Sequence, residues 1–252
     1  MLHSYPEFYK RLNNKDSRYF SIVYDLFIKN LNTASKLDLN DYENVDKCEE
    51  ELINDYHIMI VFSAMGLEAF INDYLAVCLN DDFYYANFDK LTVIQKIETI
   101  YAIVWEDTFD KSGELYNRIQ ALLKQRNLFV HSKSKELDDD LIRSAADNFD
   151  EITADEFRKH LLNSSLEQIC LLLQESFSAI QAIYLFCKAV DAHDKNRKAI
   201  ILTMSCITER EIFDYNQKLN YINKSMNQIK SSIKKLKRNF TGALRGCPPL
   251  EG

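Results

Sequence analysis

A chain of 252 residues that is 46% hydrophobic and carries a net charge of −7 is long enough for one or two domains with a real core. It is too acidic to coat nucleic acid indiscriminately, because bulk affinity for a polyphosphate needs cations spread over the surface. Glycine and proline are scarce: only Gly66 and Gly113 fall between Tyr9 and Thr241, and the prolines are Pro6, Pro248 and Pro249. Hairpins lean on such residues for their turns, so sheet folds are excluded and an all-α fold is expected.

In chain order, Phe8, Leu12, Tyr19, Ile22, Val23, Leu26 and Phe27 share one helical face and predict a helix over about Pro6–Leu31. The polar stretch NTASKLDLNDYENVD breaks it. A long helix follows over about Val45–Leu79, and its second half, IMIVFSAMGLEAFINDYLAVCL, is apolar almost all round, which places it at the centre of a bundle. The stretch NDDFYYANFDK reads as a connection. Helices are then predicted over about Thr92–Trp105 and, after the loop EDTFDKSGE, over about Leu115–Val130.

An acidic linker, ELDDDLIRSAADNFDEITADE, leads to a capping box, T-A-D-E, that starts a new helix near Thr153. A further apolar helix is predicted over about Ser165–Ala192. In the last segment Ile212, Leu219, Met226, Ile233 and Phe240 recur every seven residues, and Tyr215, Ile222, Ile229 and Leu236 fill the second seam. That regularity predicts a helix packed along a partner, either the bundle of its own chain or a second copy. The domain reading is therefore a helical bundle over residues 1–195, the heptad helix over 196–241, and a tail over 242–252 that takes no part in the fold.

Several chemistries find no support in these residues. The cysteines (Cys48, Cys78, Cys170, Cys187, Cys206 and Cys247) form no C-x-x-C pair and read as small core hydrophobes in a reducing compartment. His57, His160 and His193 make no H-x-x-x-H or H-E-x-x-H pattern, so no metal is expected. With so few glycines there is no phosphate loop or dinucleotide fingerprint, and no cofactor is implied. The opening MLHSYPEFYKRLNNK lacks the apolar core of a signal peptide, and no run of about 18 apolar residues spans a membrane, so a cytoplasmic protein with no membrane partner is expected.

One window runs against the overall charge. From Arg118 to Lys135 the cations are Arg118, Lys124, Arg126, Lys133 and Lys135, and there is no acid at all. Within it lies Arg126-Asn127-x-x-x-His131. On a helix Asn127 and His131 share a face and Arg126 is rotated by about 100° to flank them. An amide, an imidazole and a guanidinium displayed together in a basic window suit a phosphate. The plain structural alternative for His131 is a helix-end residue interacting with the last carbonyls, and the cations near it are favoured at a helix C-terminus in any case. Glu68 and Asn72, four apart in the apolar helix, need partners inside the bundle. Glu68 reads equally as the group that orients Arg126 or His131 and as half of a structural ion pair. The cations Lys224, Lys230, Lys234, Lys235, Lys237 and Arg238 read as the solvated face of the heptad helix, with an RNA track across a dimer as the alternative.

The pattern R-N-x-x-x-H at a helix end, following a helix that reads AMGLEAFINDYL with Glu68 in it, resembles the HEPN superfamily. These are helical-bundle proteins, many of them metal-independent ribonucleases of bacterial defence and toxin systems. The resemblance spans about Ile58–Lys135, a third of the chain, and leaves the flanking helices unexplained. It implies a HEPN-like bundle with additional N-terminal and long C-terminal helices. Arg126 and His131 would be the two defining catalytic positions and Asn127 the polar residue after the arginine. Glu68 and Asn72 would support them, and Lys124, Lys133, Lys135 and Arg118 would hold RNA phosphates. The resemblance further implies an RNA substrate, a homodimer that brings two sites together, and an antitoxin or defence-system protein as a possible partner. Two other readings remain: a non-catalytic module that binds RNA, nucleotide or protein through the same basic site, and a structural adaptor assembling through the heptads.

Overall fold

In the computed structural model the described residues are 15–38, 41–131 and 154–193, with positions 224, 227–229, 231 and 234 of the last segment. Among them every element is helical: α1 (Lys15–Ser35), α2 (Tyr42–Leu79), α3 (Asp81–Asn87), α4 (Val93–Thr99), a π-helical turn (Ile100–Val104), α5 (Glu114–Val130) and α6 (Ala154–His193). The all-α expectation holds.

The 38-residue α2 is the central element and packs against α1, α3, α4, α5 and α6. Its apolar positions fall on more than one face, so Leu52, Met59, Ile60, Leu67, Phe70, Ile71 and Leu75 are all buried. Each large side chain of this kind contributes about 1.5–3 kcal/mol when removed from water. From α1, Val23, Phe27 and Leu31 enter the same core at the spacing of a single helical stripe. Phe27 stacks on Phe177 of α6 at 6.0 Å, and Phe70 meets Phe186 edge to face at 5.8 Å. Lys29 ties α1 to Asp55 of α2 at 2.8 Å.

At Gly66 the helices α1 and α2 approach closely. A Cβ there would lie 2.6 Å from the ring of Phe20 and 3.2 Å from Tyr19 Cβ. The ring edge can swing aside, but Tyr19 Cβ is fixed to the α1 backbone. Gly66→Ala is therefore expected to destabilise the fold by about 1–2 kcal/mol, overpacking outweighing the better helix propensity of alanine; a urea unfolding curve measures it.

Several boundaries differ from expectation for local reasons. The break after α1 contracts to residues 36–41 because Asp41 caps α2, its side chain accepting from Asn44 N at 3.3 Å. The expected connection NDDFYYANFDK holds a helix of its own: Asn80, at φ 77°, ends α2 and caps α3 by accepting from Asp82 N at 2.9 Å. Thr92 begins α4 with a complete capping box to Gln95. The predicted helix over Thr92–Trp105 then changes pitch, with Trp105 N donating to Ile100 O at 3.0 Å. The two helices expected between Thr153 and Ala192 are one 40-residue helix, α6.

In the heptad segment, Ile229 is buried in the bundle's core cluster while Lys224, Asn227 and Gln228 are exposed. The remaining seam residues, the cations Lys230, Lys235, Lys237 and Arg238, and the tail lie outside the described residues. Cys48 and Cys187 are buried and Cys78 and Cys170 half-buried, and none of the four forms a disulfide among the described residues. The expectation that no segment is apolar enough to span a membrane is corrected: Tyr42–Leu79 and Leu161–Val190 both reach that length and composition. More than half of each apolar window is buried inside the bundle, so their hydrophobicity fills a core.

Candidate functional site

The site begins with the orientation of α5. Ile119 and Leu122 are buried, and Arg126 follows them by seven and four residues, so helical periodicity puts it on the inward face. There its Nη2 meets Glu68 Oε2 of α2 at 3.3 Å. The contact engages one corner of the guanidinium. Arg126 Nε is buried without a hydrogen-bond partner, and a quarter of the side chain remains open to solvent. Of the two readings of Glu68, this geometry serves both: the carboxylate orients Arg126 and is also half of an ion pair.

Phe129, one turn beyond Arg126, locks the helix end. Its ring meets His57 at 4.4 Å and Tyr56 at 5.6 Å, both nearly edge-on. The hydroxyl of Tyr56 donates to Glu175 of α6. Burial first, then the Glu175 hydrogen bond and charge, raise the pKa of that phenol. The end of α5 is thus packed on α2, whose Tyr56 is in turn tied to α6.

Asn127 and His131 are both exposed. His131 is the C-cap residue of α5, its backbone N–H donating to Asn127 O at 3.0 Å. Its imidazole is exposed and has no side-chain partner among the described residues. Lys124 is exposed on the same side, one turn before Asn127 and Leu128. Asn127 is on the last turn of the helix and His131 lies just past it, with the half-buried Arg126 next to Asn127 in sequence.

Other expected members go elsewhere. Arg118 donates to Glu114 and to Ser178, the first through an ion pair at 2.7 Å, so its charge is already engaged. Lys133 and Lys135 lie outside the described residues. Asn72, expected beside Glu68, instead accepts from Tyr84 Oη and from Lys96 Nζ, each at 2.9 Å.

Lys96 is the residue that sequence reasoning missed. It is 2% exposed, its ammonium lies 5.8 Å above the Tyr84 ring, and among the described residues it has no carboxylate partner. The available signal was its place on the apolar stripe Val93, Ile97, Ile100, where a cation must be buried or break the helix. The Tyr84 phenol is pushed up to about 12, chiefly by burial and then by Asp89, Tyr85, Glu68 and Asp73. Burial, then Glu51 and Glu49, push the Cys48 thiol up to about 11. Both groups are neutral in the fold and ionise earlier when unfolded, so their stabilising effect is complete below pH 9 and is lost as pH rises toward 12. The midpoint of urea unfolding should accordingly fall between pH 8 and pH 11.5 or so, and Tyr84→Phe should flatten part of that decline.

A second polar cluster joins distant parts of the chain. His193 Nε2 faces Asp107 Oδ2 at 3.1 Å and Nδ1 faces Ala189 O at 2.7 Å. Its ring stacks on Trp105 at 4.4 Å and 11°, and Trp105 Nε1 donates to Tyr74 Oη at 2.9 Å. The Thr108 backbone N–H and then His193 hold the Asp107 carboxyl below its usual range. Both ring nitrogens are engaged, so this histidine fastens the end of α6 rather than offering a free base. With Asp107 and His193 86 positions apart in the sequence, no local spacing announces it. No protein-family model matches the chain, and no curated protein or solved structure matches it either.

Proposed function

We propose that this protein is a metal-independent endoribonuclease of the HEPN type, acting as a dimer in a toxin or phage-defence setting. The observation that carries the reading is the helix end itself: Arg126 oriented by Glu68 at 3.3 Å, near an exposed Asn127 and an exposed His131 whose imidazole has no side-chain partner among the described residues, in a window without acids.

The chemistry those groups can perform is transesterification. The ribose 2′-oxygen attacks the adjacent phosphorus, the bond from phosphorus to the 5′-oxygen breaks, and the products carry a 2′,3′-cyclic phosphate and a 5′-hydroxyl. One proton leaves the 2′-hydroxyl and one must reach the departing oxygen. Imidazole exchanges protons near neutrality and so serves either step. A guanidinium stabilises charge as it builds on the phosphorane. One His131 per chain cannot remove one proton and deliver the other in the same pass, so the second copy supplies the second imidazole. An antitoxin or other defence-system protein would then restrain the site.

A second reading, a non-catalytic module binding RNA or nucleotide, is favoured by Glu68, whose carboxylate neutralises part of the Arg126 charge. The test is cleavage of total cellular RNA by the purified protein in excess EDTA, wild type beside His131→Ala and Arg126→Ala, with product ends examined. Cutting by the wild type alone with cyclic ends is the expected result; cutting shared equally by all three proteins, or none, would overturn the enzyme reading.

A further inference from the structure

Along the outward face of α5 runs an open groove of about 720 Å³, closed on one side by Ile94 of α4. This lies within the size range of small-ligand sites. Its lining divides evenly. Ile94, Ala121, Leu123 and Leu128 form an apolar floor, on which Leu128 is 60% exposed. Asn117, Gln120, Lys124 and Asn127 supply the polar groups.

These polar groups retain hydrogen-bonding capacity. Gln120 uses one N–H on Tyr116 Oη, leaving its carbonyl oxygen and second N–H. Asn117 uses one N–H on Ser112 O at 3.2 Å and keeps its carbonyl. The Asn127 amide and the Lys124 ammonium make no side-chain contact among the described residues. Among the described residues no carboxylate lines the groove.

We infer that this groove is a subsite for one unpaired nucleotide of an RNA chain, its base lying on the apolar floor with its edge read by the amides, and its phosphate taken by Lys124. A base presents a flat apolar face together with a donor and acceptor edge, and RNA recognition relies on unstacked bases offered in this way. Carboxamides match such edges because each carries a donor and an acceptor in one plane. The mixed lining suits a base better than a helix-in-groove protein partner, which needs a run of apolar anchors. Asn127 lines the groove and lies one helical turn before His131, so a base held here would immediately flank the phosphate at the cleavage site. The inference rests on the ribonuclease reading for that last consequence alone, since occupancy itself needs no chemistry.

The test uses His131→Ala full-length protein in EDTA, titrated with four homopolymeric oligoribonucleotides by fluorescence anisotropy, with Gln120→Ala and Lys124→Glu introduced separately. One base should bind about tenfold more tightly than the least favoured. Gln120→Ala should compress that ranking to within about twofold, whereas Lys124→Glu should weaken all four alike. Gln120 and Lys124 are both exposed, so the fold should survive, and far-UV circular dichroism verifies it. Equal affinities for all four homopolymers, or a ranking unmoved by Gln120→Ala, would overturn the subsite whether or not the wild type cuts RNA. A base ranking that Gln120→Ala compresses would uphold it even where no cutting occurs. If no oligonucleotide binds and Leu128→Asp instead dissociates a dimer, the groove is a protein interface and the inference falls.

Discussion

His131→Ala is expected to slow RNA cleavage by about 10²–10⁴-fold, the range over which a positioned proton-transfer group acts. It should leave unfolding almost unchanged. The ring is exposed and has no side-chain partner among the described residues, so its removal forfeits only a helix-end interaction of about 0.3–1 kcal/mol. Arg126→Ala should behave differently because it touches both properties. It removes the cation proposed to hold the phosphate and leaves Glu68 facing an empty position, so a loss of rate should come with a measurable loss of stability. Arg126→Lys keeps the charge but loses the planar fork, and should recover the stability more fully than the rate. Initial rates in EDTA beside urea unfolding curves separate these outcomes; equal rates for wild type and His131→Ala would remove the imidazole from the mechanism.

Asn72→Leu is expected to destabilise the bundle by about 2–4 kcal/mol, because it strands two buried donors at once. Lys96 and Tyr84 are each 2% exposed, and Asn72 Oδ1 is the oxygen to which both donate. Leucine fills similar space but accepts nothing, and the ammonium then keeps only the face of the Tyr84 ring. Adding Lys96→Met should restore most of the lost stability, since an apolar pair of matched volume avoids the desolvation of a charge. Chemical denaturation of the two single variants and the double variant measures the coupling. Additive losses would show that Lys96 does not depend on Asn72.

The features legible in the sequence were those set by local periodicity. Gly66 and Gly113 as the sole interior glycines, and the all-round apolar pattern of residues 58–79, led to an all-α fold with α2 at its centre. Long-range pairings were less accessible. Glu68 was read as needing a partner, and Arg126 at 58 residues' separation was one of two named for it. Asn72 was placed with Glu68 by spacing, but α4 brings Lys96 to it, and no local rule reveals which of two neighbouring helices a side chain will meet. The helix within NDDFYYANFDK was hidden because Asn80 both ends one helix and starts the next, and a residue that caps two elements looks like loop. Arg118 counted as a free cation in the basic window, yet Glu114, one turn earlier and just outside that window, engages it.

The stack of Trp105 on His193 makes the molecule its own optical reporter. Trp105 is the chain's single tryptophan, so all indole emission comes from the point where the π-helical turn meets the last turn of α6. With its N–H held by Tyr74 and its face covered by an imidazole, the indole should emit at short wavelength and be partly quenched while α6 is docked. Fraying of α6 at His193 would uncover the ring, shift the emission to the red and raise its intensity, ahead of any loss of helical circular dichroism. The fluorescence of the unlabelled protein therefore follows the seating of one helix end separately from the melting of the bundle.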